Sequence, residues 1–545
     1  MKTTRRNLLK GGLAAATTAT MVGYGPKSAR AQRRNEARYV PHADLRVLDP
    51  IWTTANISAY HGAMIYDTLF GIDANLNPQP QMVGQYNLSD DRKTHTFVLR
   101  DGLRWDDNTP VTSADCVASM LRWKARDGAG QHMWQRVTDL SAVDEKTFKL
   151  VLREPYGLVL EALAKTSTPL CYIMKKEIAE TDPNTQITRH IGCGPFKFVE
   201  SEYRPGTRVV YEKNPNYVPR SEPASGIAGG KRVHLDRVIW DIMPDAQTAA
   251  SALMAGEVEF YEVPPIDIVP ALQAAPGVKI EVLSALGNVG YCRLNHLHPP
   301  FNNVLIRRAA QLAVNQEDFL RAAIGNPQYY RVCGSHFTCG SPMGVEDGSE
   351  MLNQPMPARQ ARARELLREG GYNNMPVVVL HATDIPVMNQ AAQVIAQNLR
   401  QIGMNVILAS SDWGGVVTRR SVKDPPVVSG NSTTGGWNIF FTWGGGNSTA
   451  SPINLFAHAA TGQNAWFGWP ENALNEQLRN EWAAAPDLAT RRAVAQRLNR
   501  NMFEYVHDIK TGQWFGPAAY RSDRLRGVLP VPEIGPPWWN IERIG

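Results

Sequence analysis

Short strand-like runs and longer helix-like runs alternate along this chain. Thr94–Arg100 is rich in Thr, Phe, Val and Leu, which predicts a strand, and Lys146–Leu152 has a similar composition. Between them, Thr112 precedes an apolar stretch that ends near Trp123. A hydroxyl residue at the cap with Asp115 in the first turn is typical of a helix start. These runs predict a mixed α/β fold.

The rest of the sequence repeats this alternation. We predict helices at Ile57–Leu69, Asp245–Met254, Val304–Val314, Ala361–Glu369 and Gln390–Ile402, and strands at Ala37–Val40, Gly192–Phe198, Arg208–Glu212, Val238–Ile242, Glu257–Tyr261, Val377–His381 and Val406–Ala409. Tyr217–Lys231, which is interrupted by Pro, Ser and Gly, predicts a surface loop. Because no repeat of fixed period appears in the 545 residues, we expect about three globular domains rather than a solenoid or propeller.

Composition excludes several classes of protein. With 43% hydrophobic and 20% charged residues, the chain is neither disordered nor a coiled coil. No uncharged apolar run reaches the roughly 18 residues that a membrane-spanning helix needs, and the longest weakly apolar run, Gly11–Gly25, is rich in Gly, Ala and Thr. The formal charge of +6 comes entirely from Lys2, Arg5, Arg6, Lys10, Lys27 and Arg30 near the start of the chain, a region without acidic residues. The remainder is formally neutral, so we expect no nucleic-acid partner.

Residues 1–31 have the layout of a cleaved export signal. A basic start is followed by a mildly apolar middle and by the small-x-small sequence Ala29-Arg30-Ala31. The pair Arg5-Arg6 resembles the twin-arginine class of signals. The alternative is a short amphipathic helix that is retained. Because the first cysteine is Cys116, no site for a lipid anchor precedes it, and we expect a soluble periplasmic protein.

Several motifs occur in a recognisable order between about residue 38 and about residue 520. They are Asp49-Pro50 before Tyr66-Asp67-Thr68-Leu69-Phe70, Phe97–Asp107, Gly192–Phe196 with Asn214–Tyr217, Met243-Pro244-Asp245 with Ala255–Val258, and Asn295 with Pro300–Asn303 and Arg307-Arg308-Ala309. Together they resemble the family 5 extracellular solute-binding proteins, the oligopeptide, dipeptide and nickel type receptors of ABC importers. That family also takes up opines, oligosaccharides, metal chelates and haem-type molecules, so the resemblance does not identify the ligand.

The resemblance implies a two-lobed periplasmic-binding-protein clamp with an extra inserted domain. The implied segments are a signal at 1–31, domain I at 32–73, 192–287 and 512–545, a domain II insert at 74–191, and domain III at 288–511. A small-molecule ligand would be enclosed between the lobes by hinge closure. The closed form would then be recognised by two ABC permease subunits driven by cytoplasmic ATPases. The receptor would be a monomer that needs no cofactor and performs no catalysis.

The same resemblance suggests where the ligand binds. The expected contact residues are Thr53, Tyr60, Asn295, Trp413, Trp437, Trp443, Gly444, Gly445, Gly446, Asn447 and Trp466. Several of the 14 tryptophans lie in the last quarter of the chain among Gly and Asn, where indole faces could stack on sugars, amides or rings. About half of these tryptophans would instead be core residues. We expect the glycine run to allow close backbone approach to the ligand rather than to cradle a phosphate.

Peptide-binding relatives carry an aspartate about three residues after the tryptophan of this segment, and it binds the peptide ammonium. Here Trp443 is followed by a stretch without any carboxylate as far as Pro452, and Gly446 occupies the aspartate position. A buried ammonium without a counter-charge costs several kcal/mol. We therefore expect a neutral or anionic solute rich in hydroxyl, amide or ring surface, unless Asp412 supplies the missing carboxylate.

Six cysteines and one histidine pair are the remaining chemical candidates. Cys333 and Cys339 flank a five-residue loop whose ends could approach within disulfide distance, and we expect a disulfide there. His296 and His298 could share a face toward a metal, but Pro299 follows the pair directly, and we expect no metal site.

Two alternative functions remain open. A secreted hydrolase of peptides or glycans would use Asp106 and Asp107 as acid and base, although neighbouring residues in a strand point to opposite faces. The sequence contains no G-x-S-x-G, H-E-x-x-H or P-loop motif. A chaperone that holds unfolded chains in an aromatic cleft is the other alternative. Saturable binding without turnover would identify a receptor.

Overall fold

The computed structural model describes residues 35–430, 432–485, 487–530 and 535–544. The predicted export signal lies outside the described residues. From Asn35 onward the chain forms one unit of internal contacts. No helix within the described ranges is both long enough and apolar enough to cross a membrane.

Strands occur along the whole of the described chain. They are β1 (Glu36–Val40), β2 (Phe70–Ile72), β3 (Pro78–Pro80), β4 (Val83–Leu88), β5 (Thr94–Leu99), β6 (Val137–Ala142), β7 (Thr147–Leu152), β8 (Phe196–Phe198), β9 (Arg208–Lys213), β10 (Arg237–Asp241), β11 (Phe260–Tyr261), β12 (Val278–Val282), β13 (Asn288–Leu294), β14 (Tyr330–Arg331), β15 (Pro376–Ala382), β16 (Asn405–Ser411), β17 (Pro426–Ser429), β18 (Ser432–Gly435), β19 (Ile439–Gly445), β20 (Ile509–Trp514), β21 (Pro517–Arg521), β22 (Leu525–Arg526) and β23 (Glu542–Arg543).

The helices alternate with these strands. They are α1 (Asn56–Ile65), α2 (Ser113–Arg126), α3 (Gly128–Trp134), α4 (Val159–Ala164), α5 (Lys176–Ala179), α6 (Ala246–Ala255), α7 (Val269–Ala274), α8 (Val304–Ala313), α9 (Gln316–Ala323), α10 (Met356–Glu369), α11 (Pro386–Gln401), α12 (Trp413–Arg419), α13 (Gly446–Thr449), α14 (Ala473–Ala484) and α15 (Leu488–Tyr505). Short 3₁₀ turns lie at Glu200–Glu202, Pro327–Tyr329, Glu350–Asn353, Phe456–His458 and Gly462–Asn464.

A seven-stranded sheet is built from distant parts of the chain. Its order is β12-β21-β11-β1-β10-β9-β8. The central strand β1 runs parallel to both β10 and β11. Its buried Tyr39 packs edge-on against Trp240 and Phe260, with ring centroids 5.6 and 5.8 Å away. Aromatic packing of this kind fixes the centre of the sheet.

A separate four-stranded antiparallel sheet has the order β4-β5-β7-β6. It contains both strands that the sequence predicted at Thr94–Arg100 and Lys146–Leu152. The neighbouring α2 begins at the predicted place, where Thr112 and Asp115 form a reciprocal capping box. The prediction of this helix start is confirmed.

A six-stranded sheet has the order β14-β20-β13-β19-β15-β16. The parallel strands β15 and β16 are joined by α11, as the sequence predicted for Val377–Ala409. The predicted boundary between residues 511 and 512 falls inside β20. Because Gln513 and Trp514 still pair with β13 and β14, this strand belongs to the six-stranded sheet as far as Trp514.

The first predicted helix is wrong at its C-terminal end. Helix α1 stops at Ile65, and Tyr66 is already extended, with φ −113° and ψ 167°. The next residues are held by other partners: Asp67 pairs with Lys231 at 2.8 Å, and Thr68 Oγ1 donates to Phe70 O at 2.7 Å. The long-range ion pair of Asp67 and the local side-chain bond of Thr68 together outweigh the helical pattern.

The largest hydrophobic cluster crosses predicted domain limits. It includes Met133 and Leu163 near the four-stranded sheet together with Leu478, Trp482 and Leu498 of α14 and α15. A second large cluster surrounds the six-stranded sheet. Helices α14 and α15, which were predicted within domain III, thus share a core with residues 74–191, which were predicted as the domain II insert.

Candidate ligand-binding junction

Three segments that are distant in sequence meet through hydroxyl and amide groups. Asn447 Nδ2 donates to Thr166 Oγ1 at 2.8 Å. Ser167 Oγ donates to Asn454 O at 3.2 Å, and Thr168 Oγ1 donates to Thr54 O at 3.0 Å. We call this meeting point the junction, defined by Thr54, Thr166, Ser167, Thr168, Asn447 and Asn454. It joins regions predicted as domains I, II and III.

The middle segment of the junction follows helix α4. Its Lys165 Nζ donates to Ser167 O at 2.6 Å and to Ser167 Oγ at 3.0 Å. The same ammonium pairs with buried Asp127 at 2.7 Å. Burial raises the pKa of Asp127, while the nearby Lys165 ammonium opposes that rise. The buried ion pair therefore anchors the turn that presents the hydroxyl groups of Thr166 and Ser167.

The predicted glycine run lies where β19 passes into α13. Gly446 N donates to Gly287 O at 2.6 Å. A Cβ added at Gly446 would lie 2.2 Å from Leu286 O, and one at Gly444 would lie 2.6 Å from Thr449 Oγ1. Glycine is required at Gly446 because the backbone of Leu286 packs against it, and at Gly444 because the Thr449 side chain does. This packing places Asn447 at the junction.

Three of the predicted tryptophans gather around one arginine outside the junction. The Arg420 guanidinium lies 5.3 Å from the Trp413 ring and 5.6 Å from the Trp466 ring. Trp437 Nε1 donates to Arg420 O at 3.1 Å. Burial lowers the pKa of Arg420 to about 10. We call Arg420 with these three rings the arginine cluster.

Other predicted ligand-contact residues contact neighbouring groups of the protein itself. Asn295 is fully buried, and its Nδ2 donates to Trp437 O at 2.9 Å, so this amide ties β13 to the start of β19. Thr53 Oγ1 accepts from Ala55 N at 3.2 Å. The Tyr60 ring contacts His42 at a centroid distance of 5.2 Å. The structure places these side chains beside structural neighbours and not among the junction contacts.

Trp443 and Gly445 lie in β19, just before the segment that carries Asn447. Trp443 is half-buried in β19, and its ring lies 6.0 Å from Trp514. Gly445 is the residue before α13. Among all predicted residues, Asn447 makes the direct contact across the segments.

Sequence reasoning missed the hydroxyl groups contributed by Thr166, Ser167 and Thr168. Their signal is the run Lys165–Pro169, in which consecutive hydroxyl residues follow an apolar helix and precede a proline. The structure buries these three residues to 1, 5 and 8% exposure. A hydroxyl run of this kind in a buried position implies specific partners.

The candidate metal and acid–base residues have structural partners. His296 Nε2 lies 3.2 Å from His507 O, and His298 Nε2 lies 2.6 Å from Lys423 O. Asp106 Oδ2 accepts from Gly192 N at 3.1 Å. No cluster of metal-ligating side chains occurs within the part of the chain that the structure describes.

The two cysteines expected to pair are bonded. Cys333 and Cys339 form a disulfide with their Cα atoms 5.9 Å apart. The other cysteines, Cys116, Cys171, Cys193 and Cys292, are buried and free.

Comparisons with known proteins identify the family. The profile of the bacterial extracellular solute-binding proteins, family 5 Middle, matches residues 77–466. A probable peptide ABC transporter periplasmic-binding protein, y4tO of Sinorhizobium fredii strain NGR234, is 41% identical over 551 residues and covers 100% of both chains. The glutathione-binding protein GsiB of Pectobacterium atrosepticum is 24% identical, covering 89% of this chain and 90% of its own.

Solved structures share the fold at low identity. The periplasmic binding protein AgaA from A. tumefaciens R10, in complex with agropinic acid, has a TM-score of 0.76 and 20% identity, covering 94% of this chain and 99% of its own. DppA from Helicobacter pylori, in complex with the peptide STSA, has a TM-score of 0.75 and 18% identity, covering 93% and 98%. The predicted two-lobed α/β fold is confirmed. The chain belongs to the family 5 bacterial extracellular solute-binding proteins, the receptors that capture solutes for ABC importers.

Proposed function

We propose that this protein binds a small organic solute at the junction and delivers it to two ABC permease subunits with cytoplasmic ATPases. One observation carries the proposal: the segment Thr166–Thr168 bonds to Asn447 through Thr166 and to Thr54 O through Thr168, so three separate segments meet through neutral hydrogen-bonding groups. Neutral hydrogen bonds contribute only about 0.5–1.5 kcal/mol each, since water or a ligand can replace them. Such contacts suit a surface that opens and closes around a solute.

The preferred ligand is neutral or anionic, with hydroxyl, amide or ring surface. The segment from Gly444 to Asn454 contains no Asp or Glu. The buried carboxylate of Asp127, close to the junction, is already paired with Lys165. A ligand ammonium would therefore lack a counter-charge there, which is costly in a closed cleft. Opine-like compounds fit this chemistry, and agropinic acid is the molecule bound in the similar AgaA structure.

A peptide is the second candidate ligand. The relative from Sinorhizobium fredii is named as a probable peptide transporter component and matches this chain over its whole length. DppA from Helicobacter pylori holds the peptide STSA in the same fold. If Asp412 is freed from its role at the start of α12, where it accepts from Gly415 N at 2.8 Å, it would provide a carboxylate.

Calorimetry separates the two ligand classes. Free-amino di- to pentapeptides, their N-acetylated forms, simple sugars and agropinic acid are titrated into the mature protein, and native mass spectrometry identifies any solute that copurifies. We expect saturable binding of a neutral or anionic compound without turnover. Submicromolar binding of a free-amino peptide that is lost on acetylation would refute the preferred ligand class. Product formation would support the hydrolase instead.

Export and assembly are further parts of the proposal. We propose removal of residues 1–31, twin-arginine export, and action as a monomer in the periplasm, in keeping with the periplasmic name of the 41% identical relative. Replacing Arg5 and Arg6 with Lys should retain the protein in the cytoplasm. We also propose the three-domain division given above, with the last limit of domain III moved to Trp514 because β20 pairs to that residue.

A further inference from the structure

We propose that Thr338 is a positioning residue for the start of α13, and that the disulfide-bonded loop Cys333–Cys339 holds it in place. This inference rests on the proposed function, because α13 carries the junction residue Asn447. Thr338 itself is buried and contributes no contact to the junction as defined above.

The hydroxyl of Thr338 acts on the backbone next to the junction. Thr338 Oγ1 donates to Gly446 O, which also accepts from Ala450 N at 3.1 Å. On its other side, Gly446 N donates to Gly287 O at 2.6 Å. Both polar groups of the Gly446 backbone are thus fixed by partners outside β19. The peptide that leads into Asn447 has a defined orientation because of these bonds.

The loop that carries Thr338 is itself anchored at several points. All four residues from Ser335 to Thr338 are fully buried, although none belongs to a helix or strand. His336 N donates to Asn499 Oδ1 of α15 at 2.7 Å. The His336 ring lies 3.4 Å from buried Asp508, measured from Nδ1 to Oδ1. A short disulfide-closed loop with these anchors holds its hydroxyl group in one place.

The contacts form a continuous physical path. It runs from α15 through the disulfide loop to Gly446, then through Asn447 to Thr166, which belongs to the inserted region. Losing the Thr338 hydroxyl would leave Gly446 O with one donor and would free the first turn of α13. A four-residue helix has little stability of its own, so it depends on such outside bonds. The junction contact should weaken even though its own side chains are unchanged.

Hydrogen exchange on the full mature chain tests the positioning role directly. We compare wild type with Thr338→Val, with Thr338→Ser as the conservative rescue. The matched control is Thr68→Val, which removes another buried threonine hydroxyl bonded to a carbonyl, Phe70 O at 2.7 Å. We expect amides in 446–450 to exchange about tenfold faster in Thr338→Val alone, as expected for loss of one buried hydrogen bond. Equal exchange in this segment for Thr338→Val and wild type would overturn the proposal.

Small-angle X-ray scattering then tests whether the position of α13 affects closure of the lobes. Asn447→Ala and Thr338→Val should both enlarge the average dimensions of the protein, while Thr338→Ser and Thr68→Val should not. If Asn447→Ala opens the protein and Thr338→Val does not, Thr338 has no positioning role. If neither Asn447→Ala nor Thr166→Val changes the scattering, the proposed function of the junction fails, and the exchange measurement alone decides the role of Thr338.

The double variant Cys333→Ser, Cys339→Ser tests the disulfide loop by hydrogen exchange. Its amides in 446–450 should exchange as fast as those of Thr338→Val, and wild-type exchange there would refute the role of the disulfide loop.

Discussion

The junction and the arginine cluster are built from opposite chemistry. The junction joins three segments through neutral groups such as Asn447 and Thr166, at 2.8 Å. The arginine cluster instead buries the charged Arg420 to 9% exposure against the rings of Trp413 and Trp466. A neutral hydrogen bond can be exchanged with water at small cost, whereas a buried charge cannot be moved without changing its solvation.

This difference assigns the two regions different tasks. In the proposed function, the junction separates and re-forms, as a binding surface between lobes must. The arginine cluster is held by packing within the region of the six-stranded sheet, where Trp437 is fully buried and fixed to Arg420 O. Trp413, Trp437 and Trp466, which were predicted as ligand contacts, thus contact Arg420, and the six residues that define the junction include no aromatic side chain.

The largest expected effect on stability comes from removing the side chain of Arg420 from the arginine cluster. Arg420→Ala should lower the free energy of unfolding by about 2–4 kcal/mol, because it leaves a cavity between the rings of Trp413, Trp466 and Phe467. Arg420→Met keeps the volume without the buried charge and should stay within about 1 kcal/mol of wild type or exceed it. Urea denaturation measures both. If Arg420→Met is as unstable as Arg420→Ala, the charge on the rings is itself stabilising and the assignment to packing is wrong.

Trp443 tests whether an aromatic ring beside the junction serves the ligand. It is half-buried, whereas Trp437 is fully buried. Trp443→Ala should weaken binding of the solute identified by calorimetry by about 1–3 kcal/mol, the range for an aromatic anchor. Trp437→Ala should lower the unfolding free energy instead. Unchanged affinity with reduced stability in Trp443→Ala would show that this ring packs in the protein core and does not contact the ligand.

His132, at the contact between α3 and α14, should make stability depend on pH. His132 lies 2.9 Å from both Tyr156 Oη and Asn480 Oδ1. Burial lowers the pKa of His132 to about 3, and the nearby Arg479 and Arg136 add to this shift.

The sign of the pH effect follows from the two pKa values of His132. The unfolded chain protonates this ring below about pH 6.5, whereas the folded chain keeps it neutral until about pH 3. Its contribution to stability therefore falls as the pH drops below about 6.5, and the loss reaches about 2 kcal/mol at pH 5. His132→Gln should lose that much less stability between pH 7.5 and pH 5 in urea titrations. An equal loss of stability between pH 7.5 and pH 5 in wild type and His132→Gln would contradict the assignment of this pH effect to His132.

Local sequence patterns predicted elements well where neighbours in the chain determine them. The capping box of Thr112 and Asp115 and the parallel strands around α11 depend on short-range chemistry and hydrophobic periodicity. The end of α1 was wrong because Asp67 pairs with Lys231, which lies 164 residues away. Information at that separation is not present in any local window.

The candidate site shows the same limit. Asn447 was predicted from the family resemblance, but its partner Thr166 lies 281 residues away, and the hydroxyl run around Thr166 does not reveal which distant residue it contacts. Asn295 and Trp437 were predicted as ligand contacts, whereas both are fully buried and bonded to each other through Asn295 Nδ2 and Trp437 O. Composition cannot separate a structural amide or indole from one that faces a ligand, because both uses favour the same residue types.

The smallest effect on stability is expected at the junction, where Asn447→Ala and Thr166→Val each remove one partner of the same hydrogen bond. Thr166→Val should change the unfolding free energy by no more than about 1 kcal/mol, because the Asn447 amide that loses its partner is half-buried and can bind water. Both variants should nevertheless weaken solute binding, because the closed form loses a bond that the open form does not make. The double variant should be no worse than either single one in a double-mutant cycle measured by calorimetry. Additive losses in affinity would show that the two side chains contact the solute separately, and the bond between them would then not be the element that closes the lobes.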